Sequence, residues 1–240
     1  MNPAIPNSTI YAYRLTFDTG NAPCIFDLDG KPTGILTLAC CKGGQIRKSG
    51  PVYTGLRHTI GKNHRDEIAN GQHKVYLLGI FKNELLYFAQ VTEIITMSEY
   101  FATNSQYRTR LDCIYDALPN GGFQRNKNNT AFHPLSDTTQ HTKDWFGGYA
   151  LISDCFAYFG RESLAIPYTL LADLPKGQEN SHYDGNSAVG KRILDEVKKH
   201  WNFKDLVQNK PHSFLSTSSC GNRGCGRHEN NPVPKGVRHC

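Results

Sequence analysis

Apolar and polar positions along this chain change over in short blocks, and those blocks set the expected structure. "STIYAYRLTFDTG" alternates and is rich in β-branched and aromatic residues, which predicts a strand over residues 9 to 17 ended by the Asp18, Thr19, Gly20 turn. "GILTLACC" predicts a second strand over 34 to 41. Between them "NAPCIFDLDGKPTG" holds two prolines and an Asp29-Gly30 turn signal, as expected of a loop over the sheet edge. Residues 50 to 72 carry glycine and histidine without a period and are expected as a loop or excursion.

The strongest signal is "HKVYLLGIF" followed by "ELLYFAQVTEI", two strand-like runs over 74 to 81 and 84 to 94 joined by Lys82-Asn83. Asparagine tolerates positive φ, so a tight hairpin is expected. Thr96 and Glu99 have the spacing of a capping box, with Ile95 and Tyr100 as a hydrophobic staple, which predicts a short helix in "TMSEYFATN". From 116 to 147 Gly, Asn, Asp, Thr and His dominate, a stretch too long for an inert connection. "YALISDCFAYFG" restores strand character over 149 to 159, stopped by Gly160 and Pro167. Asn186 is placed to cap a helix in which Val189, Ile193 and Val197 recur every four residues, with Ala188 and Leu194 widening the apolar stripe.

Hairpins and loops rather than regular crossover helices join these strands. That order predicts an α+β fold, a curved and mainly antiparallel sheet or partial β-barrel with flanking helices. Residues 1 to 208 are expected as a single domain, followed by a tail from 209 to 240 rich in Gly, Ser, Cys and His. No GxGxxG or P-loop turn is present, which disfavours a doubly wound nucleotide fold.

Composition refines this picture only modestly. With 38% hydrophobic residues in 240, the chain can bury a real core. The formal charge of +6 favours phosphate-bearing partners without requiring nucleic acid, since no block of five basic residues occurs. Its apolar runs are far shorter than the roughly 20 residues that span a bilayer, and the N-terminus lacks the order of a signal peptide, so a cytoplasmic protein that does not enter a membrane is expected. Eight cysteines are dispersed rather than spaced as a small disulfide scaffold, which favours reduced thiols.

Several segments taken together resemble the nucleotide-modification-associated domain family, second type, found in phage and bacteria near DNA-modification genes. They are "YRLTFDTGNAPCIF", "TLACCKGGQIRKS", "YLLGIFKNELLYFAQVTEIITMSEYF" and "ALISDCFAYFG", in this order over residues 8 to 167. The chain departs from the family pattern in the insert from 51 to 72 and at His73-Lys74. The resemblance implies work on, or alongside modification of, nucleotides or DNA bases, and names neither a reaction nor a cofactor. By analogy the strand pair and the helix behind it also look like barrel domains of the PUA, EVE and ASCH type, which bind nucleic acid or hold an unusual base.

Candidate chemistry gathers at "LACCKGGQIRKSG". Cys41 stands at a strand end beside Lys42, with Arg47 and Lys48 nearby, where positive charge favours a nucleophilic thiolate; one of Cys40 and Cys41 is expected to point inward. Gly43 and Gly44 free backbone amides that, with Lys42 and Arg47, suit a phosphate. Asp18 is either a carboxylate at a pocket mouth or a turn residue. "NNTAFHPLSDTTQHTKD" offers His133, Asp137, His141 and Asp144 for proton transfer or a divalent metal, but His133 and Asp137 match no metal motif and Pro134 argues against a helix that would align those two. Tyr158 is expected either to contact a base or to sit in the core, its hydroxyl needing a partner, while Phe156 reads as core. In the tail, Cys220, Cys225 and His228 are loosely spaced for zinc, and no residues are assigned to a metal. Three functions stay open: a modification enzyme using Asp18, His133 or Cys41, a reader of modified nucleic acid, and a nucleotide-signal binder.

Overall fold

The computed structural model of this chain describes residues 7–45, 53–129, 138–177, 180–200 and 207–213. In chain order, its first elements are β1 (Asn7–Leu15), β2 (Cys24–Phe26), β3 (Pro32–Leu38), β4 (Gly44–Gln45), β5 (Tyr53–Thr54) and the helix α1 (Leu56–Ala69). The middle of the chain forms β6 (His73–Phe81), β7 (Glu84–Val91), β8 (Glu93–Thr96) and a one-turn helix α2 (Met97–Tyr100). There follow β9 (Tyr115–Ala117), β10 (Phe123–Arg125), α3 (Thr138–Phe146), β11 (Tyr149–Ser153) and β12 (Cys155–Tyr158). The described part closes with β13 (Leu164–Ala165), α4 (Tyr168–Leu171), β14 (Asn180–Asp184) and α5 (Ala188–Lys198).

A six-stranded mixed sheet runs in the order β12, β7, β6, β1, β14, with β13 continuing the edge beside β7. The β1 and β6 strands are parallel, and the other pairings are antiparallel. A second, antiparallel sheet runs β2, β3, β11, β8, and β4 with β5 and β9 with β10 form small ribbons. The architecture is therefore mixed α and β with several antiparallel sheets and few helices. Among the described residues the strands do not close into a barrel, and no helix is long and apolar enough to cross a membrane.

Both faces of the main sheet are covered, which is why its central strands are apolar on both sides. Ile10, Ala12, Leu78, Ile80 and Phe88 face α5, where Ser187 caps the helix and Ile193 and Val197 are buried. Tyr11, Tyr13, Leu77, Tyr87, Phe156 and Tyr158 belong to the larger core shared with the second sheet. The two sheets share bent strands: β7 passes into β8 at Thr92, and β11 passes into β12 at Asp154. Thr92 holds both bends together, its N–H donating to the Ile152 carbonyl at 2.9 Å and its hydroxyl accepting from the Asp154 N–H at 3.3 Å.

The hairpin at Lys82-Asn83 forms as expected, both residues having positive φ (48° and 68°). The capping box forms too, with the Thr96 hydroxyl accepting from the Glu99 N–H and the Glu99 carboxylate accepting from the Thr96 N–H. Five expectations are corrected. Residues 50 to 72 contain α1, and the stretch after the first strand contains the buried β2. Residues 116 to 147 contain a β-ribbon and α3. Each of the runs 84 to 94 and 149 to 159 is two strands, because it turns from one sheet into the other. The helix cap is Ser187 in place of Asn186, its hydroxyl accepting from the Gly190 N–H.

Candidate functional site

A row of tyrosines crosses the main sheet at one register. Tyr13 on β1 lies opposite Gly79 on β6, Gly79 opposite Tyr87 on β7, and Tyr87 opposite Tyr158 on β12. Gly79 is required here, since a Cβ at that position would stand 2.0 Å from the Tyr87 ring. The vacancy of a side chain lets the Tyr87 ring lie over the strand and its hydroxyl hydrogen-bond with that of Tyr13. Both phenols are fully buried and shifted upward, chiefly by burial, so they stay protonated. A β-bulge between Gly79 and Ile80 puts both Leu86 and Tyr87 on the larger core.

At one end of this row stands the Cys41-Lys42 turn. Cys41 and Lys42 both adopt left-handed backbone conformations (φ 58° and 52°), so the chain leaves β3 sharply after Cys40. Cys40 is the inward thiol, buried and raised well above the usual range by burial and then by Asp144; Cys41 is half-buried. The turn is pinned by two buried charges. Asp144 on α3 accepts from the Cys41 N–H at 2.5 Å and from the Tyr115 hydroxyl at 2.8 Å. Arg57 on α1 donates to the carbonyls of Cys41 (2.6 Å), Tyr149 (2.5 Å) and Asp144 (2.6 Å). Its pKa is lowered by burial, opposed by the field of Asp144.

Gly43 serves this junction: a Cβ there would lie 2.1 Å from the Lys143 carbonyl oxygen and 2.8 Å from the Gly147 nitrogen. Close packing of α3 on the turn accounts for this glycine. Lys42 is placed differently. Its Nζ lies 5.0 Å from the Tyr13 ring centroid and donates to the Arg14 carbonyl at 3.3 Å. Among the described residues no carboxylate pairs with this half-buried ammonium.

At the other end Tyr158 donates to Asp18, which is buried. Asp18 also receives the His212 backbone N–H and faces the His212 Nδ1, each at 2.9 Å. His212 packs on the Phe81 ring at 4.7 Å, and Val207 bridges to Tyr158, so residues 207–213 lie against this end of the sheet. The Tyr158 phenol is raised, mainly by burial and then by the Asp18 charge.

A second polar group sits further along the same face of β1. His64 and Glu67 on α1 meet His73 at the start of β6, and a nitrogen or oxygen from each lies within 4.8 Å of the others. His64 Nδ1 is 2.9 Å from Glu67 Oε2, its Nε2 is 3.0 Å from the Tyr11 hydroxyl, and His73 Nε2 is 2.9 Å from the Thr9 hydroxyl. The two imidazoles stack at 4.7 Å. His73 is lowered by burial first and by His64 second, and the hydrogen bond from His64 lowers Glu67.

Thus Cys41, Lys42, Asp18 and Tyr158 stand at the two ends of one tyrosine row, while Arg47 and His133 lie outside the described residues, as do Asp137 and the tail residues Cys220, Cys225 and His228. His141 and Asp144 are buried on α3, which begins at Thr138, beyond Pro134. Phe156 and Tyr158 are both core. Arg57, His64 and His212 were missed. On α1 the apolar series Leu56, Ile60 and Ile68 is interrupted by His64 at the intervening position, and Arg57 stands outside it, so neither declared itself. An apolar cleft lies on the opposite face of the sheet, lined by Leu78, Leu164, Leu170 and Ile193.

No curated protein and no solved structure matches this chain. A family model does, over residues 7–218, which include the β1 to α5 framework, the Cys41-Lys42 turn and the Asp18 segment with its His212 partner. The chain therefore belongs to the family described as nucleotide modification associated domain 2.

Proposed function

We propose that this protein binds a nucleotide or a nucleic-acid base through its phosphate, with Lys42 as the principal anchor, and acts in nucleotide or DNA-base modification. The observation that carries the reading is the half-buried Lys42 ammonium, which rests on a carbonyl and an aromatic face and has no carboxylate partner among the described residues. A cation partly withdrawn from water gains most from an anionic ligand that supplies the missing counter-charge. Arg47, five residues on, would add the guanidinium that grips phosphate bidentately.

If chemistry occurs, the groups for it stand at the two ends of the tyrosine row. Cys41 is the accessible thiol beside Lys42, and Asp18 is placed to orient the His212 imidazole. Proton transfer then falls to His212, with His133 the other candidate; Asp18 and Tyr158 act by holding it. Tyr158, closed off by Asp18 and the core, contributes to the site's shape. A second reading is a reader of modified nucleic acid, favoured by the analogy of the strand pair and the helix behind it to PUA and EVE domains and by the net positive charge of the chain. Such a reader binds and releases its base unchanged.

Mass spectrometry of free nucleotides and DNA digests after incubation with the protein separates these. A new or lost nucleoside that depends on Cys41 or His212 supports the enzyme, and retention without change supports the reader. Lys42→Ala is expected to weaken retention about tenfold or more, in line with a lost charge-assisted contact. Retention equal to that of the unaltered protein would remove Lys42 as the anchor and with it this site.

A further inference from the structure

We infer that His64, Glu67 and His73 form a binding site for a divalent transition-metal ion of the zinc class. Two imidazoles and one carboxylate are the ligand types such ions prefer, and three protein ligands leave a fourth position for water or a ligand. The three donors converge from two elements. His64 and Glu67 are one turn apart on α1 and share a face, while His73 opens β6 directly beneath that helix. Their donor atoms already lie within 4.8 Å of one another. Around a tetrahedral ion with bonds of about 2.0–2.2 Å they would be about 3.3 Å apart, a small adjustment of side chains.

The surroundings fit the same purpose. Tyr11 and Thr9 bond the two rings from β1 and fix their orientation, as supporting residues do around metal-bound histidines. A divalent ion would take the place of the hydrogen bond between His64 Nδ1 and Glu67 Oε2, turning one contact into two bonds to metal. His64 is largely buried and Glu67 is about half exposed, so the group is anchored on one side and open to solvent on the other. Tyr11 and Tyr13 are two residues apart on one face of β1, so the ion would sit about 7 Å along the strand from the register of Lys42.

The test is a titration of the full-length, chelator-treated protein with Co2+, followed by visible absorption, then Zn2+ competition. The expected result is ligand-field bands at about one ion per chain, displaced by Zn2+ and indifferent to Mg2+, as imidazole ligands require. Glu67→Ala, at a half-exposed helix position where folding does not depend on the side chain, is expected to lower affinity about tenfold or more, as are His64→Ala and His73→Ala with unchanged far-UV circular dichroism. His200→Ala, two residues past the end of α5, is expected to leave binding as it is. Absence of the bands, or bands and affinity unaltered in Glu67→Ala, would overturn the site; the second outcome would place the ion on other histidines or on the tail cysteines.

Discussion

Single residues carry unusual weight where polar groups are sealed into the core. Tyr13 and Tyr87 satisfy one another across Gly79, and no water-filled route is needed to explain their burial. Removing one hydroxyl strands the other, which costs the desolvation of a buried polar group; removing both leaves an apolar pair of similar shape. Tyr87→Phe and Tyr13→Phe are each expected to destabilise by about 1–3 kcal/mol, and the double variant by less than the larger single change. Urea unfolding of the four proteins measures this directly. Additive losses would mean that the two hydroxyls act separately. This pairing was not legible beforehand: strand periodicity puts Tyr13 and Tyr87 on buried faces, but only the parallel register of β1 on β6 brings them together across a glycine.

At the scale of elements, local chemistry was readable wherever an element declares itself through its ends. Lys82-Asn83 and the Thr96-Glu99 box are cases in point, and both form in the structure. α1 was not readable, because its inward stripe contains Arg57 and His64, residues that the same pattern normally assigns to solvent. The buried arginine is intelligible only with α3 in place, since Asp144 and three backbone carbonyls compensate it. The capping box also makes a pH prediction. Glu99 is held below its usual value, first by the Thr96 N–H, then by the Thr96 hydroxyl, with Arg65 adding a smaller part. A carboxylate with a depressed folded pKa contributes stability that is fully present above about 4.5 and is lost as pH falls through the folded value. Glu99→Gln is therefore expected to be less stable than the unaltered protein at pH 7 and to converge with it as the pH falls below that range. Thermal unfolding from pH 7 to pH 3 checks it, and a constant gap across the range would remove the charged cap as the cause.

For the molecule as a whole, the coarse plan of many antiparallel strands and late helices followed from the pattern, whereas the division into two sheets depended on the bends at Thr92 and Asp154, which interrupt apolar runs without glycine or proline. The segment 207–213 was still less visible, since nothing in "VQNKPHS" alternates or repeats. It is held by partners far away in sequence: the Gln208 N–H donates to the Tyr158 carbonyl, Arg161 bonds the Lys210 and Pro211 carbonyls, and His212 rests on Asp18. Asp18 is the only one of these groups that meets both the segment and the sheet through its side chain, accepting from His212 on one side and Tyr158 on the other. Asp18→Ala should then do two separable things. It leaves the buried Tyr158 hydroxyl unpaired, at a cost of about 1–3 kcal/mol, and it loosens the segment. Adding Tyr158→Phe should recover part of the stability without restoring the latch, because the phenylalanine removes the stranded hydroxyl but cannot hold His212. Hydrogen exchange distinguishes the two effects: the amides of His212 and Ser213 are expected to lose protection in Asp18→Ala and to remain unprotected in the double variant. Protection equal to that of the unaltered protein would show that pairing of Gln208 with β12 suffices, and Asp18 would then be free to serve His212 in catalysis alone.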